Sequence, residues 1–514
     1  MVRSDHQIKE NVAMKTGFIA ALCLIMIILA LAGDLSPARA EPGIAQPDFA
    51  SIDAYIESQM ATYRIPGLAL AIIQGDQIVH MRGFGVADPS GRAVTPQTSF
   101  IIGSTGKSIT ASAMMMLVEA GKVDLDAPVQ QYLPWFRLAD AEASAKITVR
   151  MLLNHTSGIP GGAGWASQAY SDVSDDALEE QVRSFHSVKL ISVPGTTYEY
   201  ANANYQVAGM IVQAVSGKSF QAYIQEHIYA PLDMQNSYTS RDEAREHAMA
   251  VGYRYWFGFP LAAYNLPYSY RQFPAGWYIC SVEDLAHYLI MHMNEGRYGD
   301  NTLISAQGIS ELHRPVLSGY AMGWVVENGI ISHNGGMPDY GSGLYFNPVT
   351  HYGVVVAFNA NTGYFYTPSY VIAPSVLNML NGGEPYQPVP DAWYGIMLPI
   401  LVITLSIQAI WLVSSALVVK RWMKREDRRP KNKVGILAWL VLPLLLELAL
   451  AVYILSTLQA NGRTVFVDLV YQPDITWLAV VSMCLAVGWG VIRTIMSLRL
   501  LLTRRHLTLA SSEA

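Results

Sequence analysis

The stretch Phe100-Ile-Ile-Gly-Ser-Thr-Gly-Lys-Ser-Ile109 sets Ser104 and Lys107 three residues apart at the start of a helix. The apolar run Phe100–Ile102 and Gly103 lead in, and Ile109 to Val118 continue with helical apolar content. Residues at i and i+3 share one helix face, so the Lys107 amine falls within reach of the Ser104 hydroxyl. An unassisted serine is a poor nucleophile at neutral pH, and a desolvated lysine can lose its proton and act as its base. The helix N-terminus adds free N–H groups that favour a developing oxyanion. By itself Ser-x-x-Lys is a cheap pattern, expected about once by chance in a chain of this length. An exposed helical lysine is the alternative. This is, however, the only Ser-x-x-Lys in the chain.

Two further motifs stand downstream. Tyr200-Ala-Asn202 lies within Gly195-Thr-Thr-Tyr-Glu-Tyr-Ala-Asn-Ala-Asn-Tyr-Gln-Val-Ala-Gly209. A phenol near cations can relay a proton, and an asparagine beside it can bind an amide or orient the lysine. His333-Asn-Gly-Gly336 precedes Leu344-Tyr-Phe346 and Gly353–Phe358. These apolar runs predict adjacent antiparallel strands, with Gly335 and Gly336 letting a substrate backbone approach closely. Each motif has a plain alternative: Tyr-x-Asn recurs at Tyr345-Phe-Asn347, and His-x-Gly also reads as a turn before a strand.

The three motifs and the text around them resemble the serine β-lactamase and penicillin-binding-protein superfamily, nearest to class C β-lactamases, D-Ala-D-Ala peptidases and related esterases. The resemblance runs from about Ile52 to about Leu380. It includes Ile65-Pro-Gly-Leu-Ala69, Gly83-Phe-Gly-Val-Ala-Asp88, Ile147-Thr-Val-Arg-Met-Leu-Leu-Asn-His-Thr-Ser-Gly158, Pro231-Leu-Asp-Met234 and Ser281-Val-Glu-Asp-Leu285. It implies an α/β (α+β) fold, an antiparallel sheet flanked by helices with a mostly helical lobe and the active site between them. It implies Ser104 as the acylated nucleophile, Lys107 as its proton acceptor, Tyr200 as the relay to the leaving group and Asn202 as a ligand of the substrate amide. His333 stands where typical β-lactamases carry lysine, facing the substrate carboxylate. The backbone N–H groups of Ser104 and Gly336 form the implied oxyanion hole, with Gly335 beside it. His155 and Ser157 belong to another family motif, for which packing is an equal reading. The absence of Lys-Ser-Gly or Lys-Thr-Gly at the third motif is a departure. A histidine of ordinary pKa is largely neutral at pH 7 and a weaker carboxylate anchor. This favours a peptidase, amidase or esterase over a β-lactamase.

Composition separates the chain into parts. At 514 residues, 51% hydrophobic and 14% charged, it is too apolar for an ordinary soluble protein, where about a quarter of residues are charged. The excess lies at the two ends. Lys15, the run Phe18–Ala32 and Ala38-Arg-Ala40 predict a signal peptide over residues 1–40, with an uncleaved anchor as the alternative. A hydrolase domain is expected over 41–381 and a proline-rich linker over 382–393. Three membrane segments follow over 394–502, at about Tyr394–Val419, Val434–Leu458 and Ile475–Leu498, and a tail over 503–514. The connector Lys420–Lys433 is densely basic, whereas Gln459–Asp474 holds only Arg463. The positive-inside rule then puts that basic connector and the C-terminus in the cytoplasm and the hydrolase domain outside. Glu447 sits mid-span, and Arg493, nearer the cytoplasmic face, is placed to snorkel.

The net charge of -6 and the lack of a basic stripe argue against nucleic-acid binding. No cysteine–histidine cluster has zinc-ligand spacing, and Cys280 alone lies in the hydrolase region, where burial is its expected fate. Neither metal nor organic cofactor is expected. The expected partners are the lipid bilayer and a small-molecule or peptide substrate of the cell envelope. The expected function is a membrane-anchored, extracytoplasmic serine hydrolase acting through an acyl-enzyme on D-Ala-D-Ala-type peptides or esters. A true β-lactamase is the rival among enzymes, and a penicillin-acylated sensor or scaffold signalling through its membrane helices is the rival of another class.

Overall fold

The strand Gly67–Gln74 alternates between two cores. Leu68, Leu70 and Ile72 enter one hydrophobic cluster and Ala69, Ala71 and Ile73 another, as a strand buried on both faces requires. Two segments from opposite ends of the sheet-bearing unit meet here. Gly67–Gln74 pairs antiparallel with Tyr352–Phe358 from Leu68 opposite Phe358 to Gln74 opposite Tyr352. They are the second and third strands of a six-stranded sheet whose order is Gln77–Gly85, Gly67–Gln74, Tyr352–Phe358, Gly341–Asn347, Ile330–Gly336 and Val325–Glu327. The computed structural model describes residues 47–361, 368–387, 392–430, 432–459 and 464–510. The expected signal peptide and residues 388–391 of the expected linker lie outside the described residues.

Helices Phe49–Tyr63 and Ile372–Leu380 cover the first face, where Ile52, Ile56, Val376 and Leu377 join the leucine-rich cluster. The second face packs on a larger core that includes the buried helices Gly106–Glu119 and Val282–Met293. Most of the remaining helices lie between residues 129 and 246, giving the helical lobe. The expected strands Leu344–Phe346 and Gly353–Phe358 are adjacent and antiparallel, and both pair into the same sheet as His333.

C-terminal to this unit, the helices Ala392–Lys424, Lys433–Gln459 and Pro473–Ala510 each contain a segment long and apolar enough to cross a membrane. Between the second and third, a short helix, Val465–Tyr471, packs on the sheet-bearing unit. Arg493 does not snorkel. It is fully buried among the three helices, it donates to the Trp439 carbonyl, and its guanidinium lies 5.9 and 5.8 Å from the Trp411 and Trp439 rings. The bundle's own aromatic faces and a backbone acceptor hold the side chain inward.

Candidate active site

Ser104 lies on a short turn of 3-10 helix, Gly103–Thr105, that runs directly into the helix Gly106–Glu119. The turn is clamped from below. Thr105 Oγ1 donates to the Ile102 carbonyl at 2.7 Å, and Ser342 Oγ from the sheet donates to the same oxygen at 2.5 Å. Glycine is required at two contacts. A Cβ on Gly103, whose φ is +57°, would stand 2.7 Å from the Gly336 nitrogen, and one on Gly335 would stand 1.8 Å from the Ile102 oxygen. The end of the Ile330–Gly336 strand is thereby pressed against the turn that bears Ser104, with Gly336 exposed at the cleft.

Lys107 Nζ lies 3.1 Å from Ser104 Oγ, 2.8 Å from Asn202 Oδ1 and 2.6 Å from the Ala275 carbonyl oxygen. The side chain is fully buried, and among the described residues it makes no ion pair. Burial without a counter-charge pushes its pKa well below the ordinary lysine value. The contacts match a neutral amine. Asn202 Oδ1 and the Ala275 carbonyl can only accept, so they take the two N–H bonds and leave the lone pair for the Ser104 hydroxyl proton.

The Tyr200 ring lies 4.9 Å from Lys107 Nζ. Burial pushes the phenol well above its ordinary pKa, and a hydrogen bond with Ser104 acts the other way more weakly. Burial thus favours the uncharged form of both groups, an amine able to accept a proton and a phenol able to donate one. Tyr200 and Asn202 are held by the loop after the Val149–Leu153 helix. His155, at φ +56°, accepts at Nδ1 from the Ala201 N–H and from Asn204 Nδ2, and its ring packs 4.4 Å from that of Tyr200. Ser157 Oγ donates to Asn204 Oδ1 at 2.6 Å. These contacts give His155 and Ser157 a positioning role.

His333 is buried on its strand with both ring nitrogens engaged. Nδ1 donates to the Asn334 carbonyl at 2.8 Å, and Nε2 accepts from the Tyr320 hydroxyl at 3.1 Å. Burial pushes its pKa down to about 3. The imidazole has no free N–H in this arrangement, because the Asn334 carbonyl holds its only proton. Sequence reading found no signal for Tyr320, for the Ala275 carbonyl, or for Tyr198, Gln168 and Tyr471, which line the cleft. They come from segments far apart in the chain, and the decisive groups are a backbone oxygen and unremarkable polar side chains. The cleft measures about 790 Å³ and also takes in Ser104, Tyr200, Asn202, His333 and Gly336.

The β-lactamase family model matches residues 52–372. Protein flp of Staphylococcus aureus (strain MW2) is 26% identical over 452 residues, spanning 85% of this chain and 88% of flp. The unguisins hydrolase ungD′ of Aspergillus campestris (strain IBT 28561) is 28% identical over 337 residues, 62% of each chain. Among solved structures, the octameric penicillin-binding protein homologue from Pyrococcus abyssi superposes with a TM-score of 0.58 at 29% identity, covering 68% of this chain and 81% of that one. FmtA from Staphylococcus aureus shares the fold, with a TM-score of 0.53 at 23% identity over 66% of this chain and 90% of its own. With the family match extending over most of its length, the chain belongs to the β-lactamase family.

Proposed function

We propose that this chain is a membrane-anchored serine hydrolase that cleaves an amide or ester through an acyl-enzyme, with the hydrolase unit outside the cytoplasm. The observation that carries the reading is the fully buried Lys107, held by two acceptors with Ser104 Oγ as its third contact. Ser104 Oγ forms the bond to the substrate carbonyl carbon while its proton passes to Lys107 Nζ. The carbonyl oxygen takes the negative charge and accepts from the backbone N–H groups of Ser104 and Gly336. As the tetrahedral intermediate collapses, the bond to nitrogen or oxygen breaks and the leaving group takes a proton relayed through Tyr200. Asn202 bridges Lys107 and the substrate amide. Water then attacks the acyl carbon, its proton returns through the same pair, and Ser104 is regenerated.

The leading substrate class is D-amino-acid peptide or ester linkages of the cell envelope. The hydrolase name of the Aspergillus relative supports turnover over stable binding. A true β-lactamase is disfavoured because His333, neutral and with both nitrogens engaged, brings no positive charge to the substrate carboxylate. An outward-facing hydrolase unit is supported by the Val465–Tyr471 connector, which packs on that unit while the basic connector belongs to the other end of the bundle.

The test is covalent labelling of the purified full-length protein by a fluorophosphonate and a fluorescent penicillin. Wild type should label once and Ser104→Ala not at all. Undiminished labelling of Ser104→Ala would show that another nucleophile operates.

A further inference from the structure

Tyr471 is the last residue of the connector helix between the second and third membrane segments, yet it lines the substrate cleft. Its hydroxyl donates to Gln168 Oε1, and its ring lies 5.9 Å from that of Trp165. The connector is tied down at a second point as well. Arg254 Nη1 donates to the Leu469 and Val470 carbonyls at 3.3 and 3.2 Å, and the Phe257 N–H donates to Asp474 Oδ2 at 2.8 Å. The strand bearing Arg254 pairs with Ala360–Asn361, and Asn361 Nδ2 donates to the carbonyl of Met337, the residue after Gly336. The connector is thus mechanically continuous with the end of the strand at the candidate oxyanion hole.

Gln168 and Tyr471 also mark a partition. Both line the 790 Å³ cleft and a second cavity of about 240 Å³ that contains Arg241, Arg245 and Trp277. Both also border a small space of about 20 Å³ against Ser104, Gly276 and Gly336, to which His333 does not contribute. A substrate crossing Ser104 therefore has one arm toward His333 and the other against the Gln168–Tyr471 pair. The family resemblance puts His333 at the substrate carboxylate, which in a D-Ala-D-Ala-type peptide belongs to the departing residue, so the second arm is the acyl arm.

We propose that the membrane connector is a working part of the substrate site and that Tyr471, held by Gln168, selects substrates by the size of the acyl group. This rests on the acyl-enzyme reading of Ser104. The closed pair confines the acyl arm to the cleft, and removing the ring joins the cleft to the 240 Å³ cavity.

The experiment uses the full-length protein in detergent micelles and two p-nitrophenyl esters with one leaving group, acetate and phenylacetate. Tyr471→Ala should raise the phenylacetate-to-acetate ratio of kcat/KM by about tenfold, the scale set by a few carbon atoms in an apolar pocket. Tyr471→Phe, which keeps the ring and loses its tether, should shift the ratio the same way by less, and it serves alone if the alanine variant does not fold. A purely structural role for Tyr471 would slow both esters alike, and a flat ratio in a variant that still turns over overturns the proposal. The parent reading fails separately: Ser104→Ala would then hydrolyse both esters as fast as wild type.

Discussion

Among the described residues one lysine and one arginine are completely buried, Lys107 beneath the cleft and Arg493 inside the membrane bundle, and their fates differ. Lys107 is surrounded by acceptors and one hydroxyl with no carboxylate among its contacts. A lysine answers such burial by giving up its proton, and the free amine is a base. Arg493 has no such option, since a guanidinium keeps its charge in proteins. The bundle accommodates it with the Trp439 carbonyl and two indole faces, while Glu447 on the second helix accepts from Trp411 of the first at 3.0 Å. A Cβ on Gly490 of the third helix would stand 2.2 Å from Glu447 Oε2, so the helices close around these polar groups. Equal burial therefore favours an uncharged amine in one region and a helix–helix fastener in the other.

The largest expected effect separates the two residues directly. Lys107→Met should slow acylation of Ser104 by about a thousandfold, within the range a positioned base supplies. Arg493→Met should leave the acylation rate unchanged while altering the thermal stability of the bundle. Stopped-flow labelling beside a melting curve checks both, and equal loss of acylation in the two variants would break the contrast.

A smaller effect probes the other half of the acylation step. Gly103→Ala places a methyl against the Gly336 nitrogen and forces alanine into a left-handed backbone. The acylation rate should fall by about a hundredfold, the loss expected for one oxyanion donor. Binding of a non-reacting product should be little changed. If affinity for product falls as far as the rate, the contact serves binding and not the transition state.

A further effect is on stability and comes from acid. Burial pushes the imidazoles of His313 and His333 down to about 3. Their value in an unfolded chain is about 6.5. Between these values the unfolded state binds more protons, so stability present above pH 6.5 is lost progressively toward pH 3. His155 and His292 are displaced in the same direction by burial. Residues 394–501 contain no histidine. Acid titration of the full-length protein in detergent should therefore abolish the near-ultraviolet circular dichroism of the sheet-bearing unit while much helix remains. Simultaneous loss of both signals would mean that the two regions unfold as one.

The sequence by itself determined the family, the antiparallel pairing around His333, the three apolar helices and the nearness of Ser104 to Lys107. Each of these is local or periodic. Three residues on a helical turn meet whatever the rest of the chain does, strands alternate with period two, and a span shows as unbroken apolar length. Only the tertiary structure decided the protonation logic of the site. The Ala275 carbonyl that accepts a hydrogen bond from Lys107 is 168 residues away and is a backbone atom without a sequence signature. The engagement of both His333 nitrogens depends on Tyr320, and the inward turn of Arg493 depends on tryptophans of two other helices. Tyr471, 303 residues from Gln168, reads in sequence as part of a membrane connector and in space as a wall of the cleft. Residue type and spacing encode what a group can do. Burial and long-range partners, which exist only after folding, select which of those states it adopts.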